Sequence, residues 1–526
     1  MNQSTVLYLL PEIVLAAAAV AIYLAGTWTV RLAIWRWAAL ASLAMAAGAL
    51  ATVAARPGND PIAADGFAWY GRWLALGVGT LVVLAAWRPL VLKALPEYFG
   101  SLLLLVAGLM LVASANDLVL MFVGLELVSI PTYILLYLGR RDIASQEATA
   151  KYFYLSVLAS ALLLYGLSFL YGTGGSTDLR VLAERFDAAA AGNLAAVARL
   201  ALGLILAGLC FRITAVPFHF YAPDVYQGTT HANAGMLSVV TKTAGLLALV
   251  RITTLAMPGI ERYAWPTVLV LSALTMTLGN TMALWQTNLR RLMAYSSIAH
   301  AGYLLLGVAV HYVAMPNGDG WDGLGAMLFY LVVYAAATLG MFAALAALGT
   351  RERQVETVDE LAGLAWTGGV VRPALAWAMA IFLFSLAGLP PLAGFWGKLA
   401  LFASALNFER IGGGARPWFI FLAVLGVLNS VVSAGYYLRI VSTMFFATPQ
   451  ADREHPAPVK EGGLGMFVGA MVALVLVLAI GVRPGPWIDE ARRADPRIEH
   501  QPASRAVVVT SPNVESQMSK ECRMTK

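Results

Sequence analysis

An all-α polytopic membrane protein is the fold class the sequence predicts: about fourteen transmembrane helices with two inverted five-helix repeats, each containing one broken helix. Three observations carry this expectation. Of 526 residues, 60% are hydrophobic and only 12% are charged, whereas soluble domains run about half apolar and roughly a quarter charged. Apolar runs of about twenty residues, the length a helix needs to cross a bilayer, recur along most of the chain. Two of these runs are interrupted by proline at matching places, Pro217 and Pro223 in the first and Pro390-Pro391 in the second.

The runs near residues 5–25, 33–54 and 67–87 make an N-terminal three-helix segment over 1–97. The first repeat, 98–255, takes runs near 98–115, 117–138, 149–171, 194–214 with a broken continuation, and 234–255. The second, 266–446, takes 266–286, 292–312, 324–348, a broken 372–408, and 417–446. A last span follows at 464–482. In each repeat the break falls in the fourth run, and an odd number of crossings makes the second copy inverted relative to the first. Connections such as Arg56-Pro57-Gly58-Asn59-Asp60 and Arg351-Glu352-Arg353 are short and rich in turn formers or charge.

The segment Met1 to Thr5 has none of the basic residues of a signal peptide, so the first run reads as a retained span. Basic residues in short loops give a weak orientation. Arg31, Arg36, Arg88, Lys93, Arg140, Arg141, Arg290, Arg291, Arg351 and Arg353 fall on one side. Arg56, Arg72, Arg180, Arg185, Arg251, Arg262, Arg410 and Arg416 are read as loop residues of the other, which favours an outside N-terminus. The tail from Arg483 to Lys526 is polar and proline-rich, and reads as disordered or loosely docked. Ala506-Val507-Val508-Val509 is its short apolar patch.

Composition also excludes functions. The two cysteines, Cys210 and Cys522, form no CxxC spacing and no iron–sulfur set. No glycine-rich nucleotide motif stands between a strand and a helix. His219 and His231 lack metal-ligand spacing with carboxylates and read as loop or interface residues. The net charge of +6 is spread through loops and tail, which speaks for membrane orientation and against nucleic acid. No cofactor or metal is expected on this chain.

Six ionisable residues remain inside or at the edges of the apolar runs: Glu126, Lys151, Arg212, Lys242, His300 and Lys398. Charges at membrane depth are expensive, and they mark ion pathways by default. Pro217 and Pro223 break the helix beyond Arg212, and Lys242 lies inside the next run, so the stretch Phe211 to Lys242 reads as part of a polar, partly hydrated path. A buried carboxylate is neutralised by desolvation and ionised by a nearby cation, while a buried amine is driven towards neutrality. An ion pair of Glu126 with Lys151 or Arg212 can therefore switch and move a proton stepwise. Taken alone, Lys151 is close enough to the interface to snorkel, and His300 fits a hydrogen-bonded packing residue. Lys242 and Lys398 are deep, and each belongs to one half.

The string F-R-I-T-A-V-P-F-H-F-Y-A-P-D-V-Y-Q-G from Phe211, together with R-R-L-M-A-Y-S-S-I-A-H-A-G-Y and L-P-P-L-A-G-F-W-G-K, resembles motifs of a known family. That family is the antiporter-like membrane subunits of respiratory complex I, the proton-translocating NADH–quinone oxidoreductase; the wording is nearest its N-type branch. The resemblance covers roughly residues 5 to 482. It implies one proton channel in the membrane arm of a bacterial inner-membrane complex. Partners would be the lipid bilayer and the other membrane-arm and peripheral-arm subunits. NADH, FMN, iron–sulfur clusters and quinone would sit on the wider complex and not on this chain. Glu126 then matches the family's fifth-helix glutamate, Lys151 a sixth-helix lysine, Lys242 the eighth-helix lysine and Lys398 the twelfth-helix lysine. Arg212 departs from the family, which has lysine there. Arginine stays protonated, so Arg212 is expected to act as a fixed charge beside Glu126, with Lys242 as the central proton store. A subunit of a multi-subunit sodium/proton antiporter is the alternative, since it shares the fold and the lysines.

Overall fold

The computed structural model describes residues 3–28, 32–53, 61–87, 94–140, 142–189, 194–257, 261–314, 322–350, 353–367, 369–407, 411, 414–448 and 463–496. Among these the regular structure is helical. The N-terminal part holds α1 (Gln3–Tyr8), α2 (Leu10–Gly26), α3 (Leu32–Thr52) and α4 (Gly66–Ala85). Next come α5 (Leu95–Ser114), α6 (Leu118–Tyr137), α7 (Ile143–Gly174), α8 (Leu179–Ala189), α9 (Leu194–Ile213), α10 (Ala222–Gly228) and α11 (His231–Arg251). The second half runs through α12 (Glu261–Leu284), α13 (Leu289–Val313), α14 (Gly323–Leu348), α15 (Val371–Ala387), α16 (Ala393–Ala405) and α17 (Arg416–Phe446). The chain closes its described part with α18 (Leu464–Val482) and α19 (Gly485–Arg493).

Twelve of the described helices are long and apolar enough to cross a membrane, or thirteen with one bent pair counted as a span. The two further spans expected from the sequence lie at α2 and at the α15–α16 pair. With 17 residues in α2, 17 in α15 and 13 in α16, and a rise of about 1.5 Å per residue, each falls short of a hydrocarbon core about 30 Å thick. Helix starts follow local chemistry. The carboxylates of Asp65, Asp117, Asp142 and Asp322 and the side chains of Thr230 and Asn288 accept hydrogen bonds from the first free N–H groups of their helices.

The interior is organised around α11 and α13, both fully enclosed, while α3 and α17 are only 33% buried and turn most of their surface outward. One kind of backbone pairing occurs twice. Leu118 N–H bonds Thr177 O, and Leu179 N–H bonds Asn116 O, so the start of α6 pairs with the segment after α7. Leu289 N–H bonds Glu356 O and Val358 N–H bonds Thr287 O, which does the same for α13 and the segment after α14.

Both proline breaks are present, and each meets its freed backbone groups locally, as membrane burial requires. Beyond α9, Tyr221 Oη donates to Phe211 O at 2.9 Å and Val216 N–H donates to Thr275 Oγ1 at 3.0 Å. Beyond α15, Gly388 adopts a φ of +90° and donates to Phe384 O and Ser385 O, a left-handed cap open to glycine. The freed carbonyl of Ala387 accepts from Lys398 Nζ at 3.0 Å. The α16 start is pinned by Gly394 N–H donating to Ser385 Oγ at 3.0 Å.

Two expectations need correction. The tail does not begin as a disordered segment. Proline at its first turn starts α19, and Ile488, Ala491 and Ala494, spaced three apart, make a buried stripe. The helix packs on α14 and α4. Beyond it Asp495 is buried, with Oδ2 3.8 Å from His311 Nδ1 at the end of α13. The patch 506–509 lies outside the described residues, as do Arg31, Arg56, Arg88, Lys93, Arg141, Arg351 and Arg410. Arg72 and Arg251 are also not loop charges. Both are buried in helices, so they carry no weight in an orientation count.

The second break depends on Gly394, because a Cβ there would stand 1.7 Å from Ser385 O. Gly394→Ala is therefore expected to lower accumulation of the chain in membranes severalfold. Gly48→Ala, where a Cβ meets nothing within 4 Å, should leave accumulation unchanged on a quantitative immunoblot.

Candidate functional site

Arg212 is the next-to-last residue of α9, just before the break, and its side chain meets α6 and α7. One terminal nitrogen lies 2.8 Å from Glu126 Oε1 and 2.9 Å from Ser160 Oγ. The other donates to Leu125 O at 3.1 Å and bonds Ser129 Oγ. Ser160 donates to the same Glu126 oxygen at 2.6 Å. Arg212 is 5% exposed and Glu126 keeps 24% of its side chain exposed, so the carboxylate retains access that the guanidinium lacks. The fork geometry lets one arginine bridge three helices where a lysine would make a point contact.

Lys151 does not join this pair. Its Nζ lies 2.7 Å from Glu147 and 3.2 Å from Asp224, and its side chain is 41% exposed. Asp224, on α10, is held in turn by Arg291 at 2.6 Å. The structure thus resolves the two partners allowed for Glu126 in favour of Arg212, and assigns Lys151 to an ionic cluster nearer the surface.

Lys242 is fully buried on α11, and Nζ donates to Ser297 Oγ at 2.6 Å. Ser297 Oγ meets Tyr334 Oη at 2.8 Å, and Tyr334 donates to Ser238 O at 3.1 Å. One turn beyond Ser297 on α13, His300 holds a phenol on each ring nitrogen: Tyr330 at 2.6 Å from Nδ1 and Tyr437 at 3.0 Å from Nε2. Tyr437 also bonds Ser296 Oγ. Lys398, on α16 after the second break, stands 4.9 Å over the Tyr303 ring besides its bond to Ala387 O. Among the described residues no carboxylate pairs with Lys242 or Lys398; their partners are neutral hydroxyls, a carbonyl and an aromatic face.

The two groups touch through glycine. A Cβ on Gly245 would lie 3.2 Å from Arg212 Cβ and 2.8 Å from Ile213, so α9 ends directly against α11. Gly245 lies three residues beyond Lys242 and shares its face of the helix.

Sequence reasoning missed the ion partners of four arginines, two of them in buried pairs. Arg251 is 0% exposed; its two terminal nitrogens meet Asp65 at 3.0 and 2.7 Å, and Nε donates to Ala113 O at 2.8 Å. Arg72 Nε lies 2.7 Å from buried Glu12. At the opposite end of α13, Arg290 and Arg140 share Glu356 at 2.8 and 3.2 Å, tying the two halves together. His231, expected in a loop or interface, is buried at the start of α11, with Nε2 2.8 Å from Val355 O. The position of Asp65 before an apolar run is a capping signal that was available in the sequence.

Comparison with known proteins adds to this geometry. A family model described as NADH:quinone oxidoreductase/Mrp antiporter, transmembrane, matches residues 115–450. A protein named NADH-quinone oxidoreductase subunit N, from Paramagnetospirillum magneticum, is 36% identical over 92% of this chain and 96% of its own. A chain in the structure of respiratory complex I from Thermus thermophilus with bound aureothin superposes with a TM-score of 0.72 at 32% identity, covering 91% of this chain and 98% of that one. A chain of the Mrp complex from Dietzia sp. superposes with a TM-score of 0.75 at 24% identity, covering 94% and 97% respectively, which is a likeness of fold.

Removing one partner of a buried bidentate pair strands the other charge at a cost of about 3–5 kcal/mol, whereas replacing both by apolar groups is often neutral. Asp65→Ala should lower the thermal aggregation midpoint of the detergent-solubilised chain clearly. The double change Asp65→Ala with Arg251→Met should recover most of that loss in the same assay.

Proposed function

The chain belongs to the family of NADH-quinone oxidoreductase subunit N, and from that premise we propose that Glu126, Lys242, His300 and Lys398 carry protons across the membrane arm of the complex, with Arg212 as a fixed charge beside Glu126. It is a multi-pass subunit of the bacterial inner membrane, within an enzyme that transfers electrons from NADH to quinone. The redox groups, NADH with FMN, iron–sulfur clusters and quinone, belong on this reading to the other subunits. Among the described residues no group of three His, Cys, Asp or Glu is arranged to hold a metal.

The observation that carries the reading is the unequal company of the buried cations. Arg212 has a carboxylate and fixed donors and acceptors around it, while Lys242 and Lys398 have neutral partners. A buried amine with neutral partners can lose its proton and leave no orphaned anion behind, so it can store and release one. Arg212 keeps its charge and acts on Glu126 and, through Gly245, on the Lys242 turn. Lys151, flanked by the carboxylates of Glu147 and Asp224, holds the outer end of the row as a fixed charge. Signals from redox chemistry elsewhere then reach this chain as shifts in helix position and charge, through packed elements.

Two experiments test this. With the chain tagged, mildly solubilised membranes run on a native gel should show it in a very large band that stains for NADH oxidation. A smaller band without that activity would instead favour the sodium/proton antiporter reading. In sealed vesicles, Lys242→Ala should abolish the share of NADH-driven proton uptake that passes through this chain, and Arg212→Lys should leave uptake at or below the wild-type rate. A rise in uptake with Arg212→Lys, at unchanged assembly, would reverse the roles given to Arg212 and Lys242.

A further inference from the structure

Tyr437 reaches the centre of the protein from α17, a helix that turns most of its surface outward, yet Tyr437 itself is 0% exposed. Its hydroxyl lies 3.0 Å from His300 Nε2 and also bonds Ser296 Oγ on α13. On the other ring nitrogen, Tyr330 from the buried helix α14 lies 2.6 Å from Nδ1. A neutral imidazole has one N–H and one lone-pair nitrogen. One phenol must therefore donate to His300 while the other accepts from it.

Ser296 decides the direction. If Ser296 donates to Tyr437, the phenol hydrogen is free for Nε2, and His300 offers its N–H to Tyr330. If Tyr437 donates to Ser296, Nε2 carries the hydrogen and Nδ1 accepts from Tyr330. Ser297, the next residue, is the one that holds Lys242. Two adjacent serines on α13 thus serve the amine directly and the imidazole through Tyr437, one each.

We propose that Tyr437 is a positioning residue of the proton path: through Ser296 it sets which ring nitrogen of His300 carries the hydrogen, and so couples the outer helix α17 to the stretch between Lys242 and Lys398. This rests on the reading that protons pass through this chain. Displacement of α17 relative to α13 changes the Tyr437 contact and with it the tautomer that His300 presents to Tyr330. Packing alone does not need the hydroxyl, because phenylalanine keeps the ring.

The test uses the whole complex in sealed membrane vesicles, with NADH-driven proton uptake measured alongside NADH oxidation. Tyr437→Phe is expected to slow the uptake assigned to this chain about tenfold, equal to about 1.4 kcal/mol of barrier. Ser296→Ala should do the same, and it keeps the inference testable if the tyrosine variant fails to assemble. Tyr437→His, which retains a donor and an acceptor, should restore uptake. Wild-type uptake in Tyr437→Phe, or equal losses in the Phe and His variants, would overturn the inference while Lys242→Ala remained inactive. Normal uptake in Lys242→Ala would overturn the parent reading.

Discussion

The contact between Arg212 and Glu126 is the interaction on which the first half of the protein depends. A guanidinium inside an apolar interior needs acceptors around it, and α6, α7 and α9 supply them from Leu125, Glu126, Ser129 and Ser160. Three helices are thereby fixed in register by one side chain. The end of α9 is then pressed against Gly245, so the same contact sets the place of α11. A fixed charge does this better than a lysine, because its fork reaches several acceptors at once.

The two buried lysines meet the same constraint differently. Lys398 bonds a carbonyl freed by a helix break, and Lys242 bonds a serine. Tyrosine rings surround both, through Tyr303, Tyr330, Tyr334 and Tyr437. Phenols suit this environment, since each is apolar over its ring and both donor and acceptor at its tip. The result is a polar interior with few formal charges. Such an interior tolerates a proton at several positions without collapsing onto one ion pair.

Much of this was legible in the sequence, and the reason lies in how local each signal is. Proline acts on its own turn, so Pro217, Pro223 and Pro390-Pro391 marked both breaks without any knowledge of neighbours. Apolar length marked the spans for a similar reason. Partner choice was not legible: whether Glu126 faces Arg212 or Lys151 depends on the rotation of α7, and both residues lie at plausible depth. Arg72 and Arg251 were misplaced because they sit near run ends, where hydropathy cannot separate a loop cation from one folded back onto Glu12 or Asp65. The α19 helix was hidden because its apolar stripe is three residues wide in a polar, proline-rich segment.

The buried contact between His311 and Asp495 bears on the order of biogenesis. His311 belongs to α13, made in the middle of synthesis, while Asp495 follows the last described helix. Until the ribosome has delivered α19, the end of the central helix lacks one of its acidic neighbours. Insertion of the spans and closure of the second half are therefore separate events in time. A nascent chain halted before residue 485 would hold every described span and still present an unfinished surface at α14 and α13, the kind of surface that chaperones and proteases read.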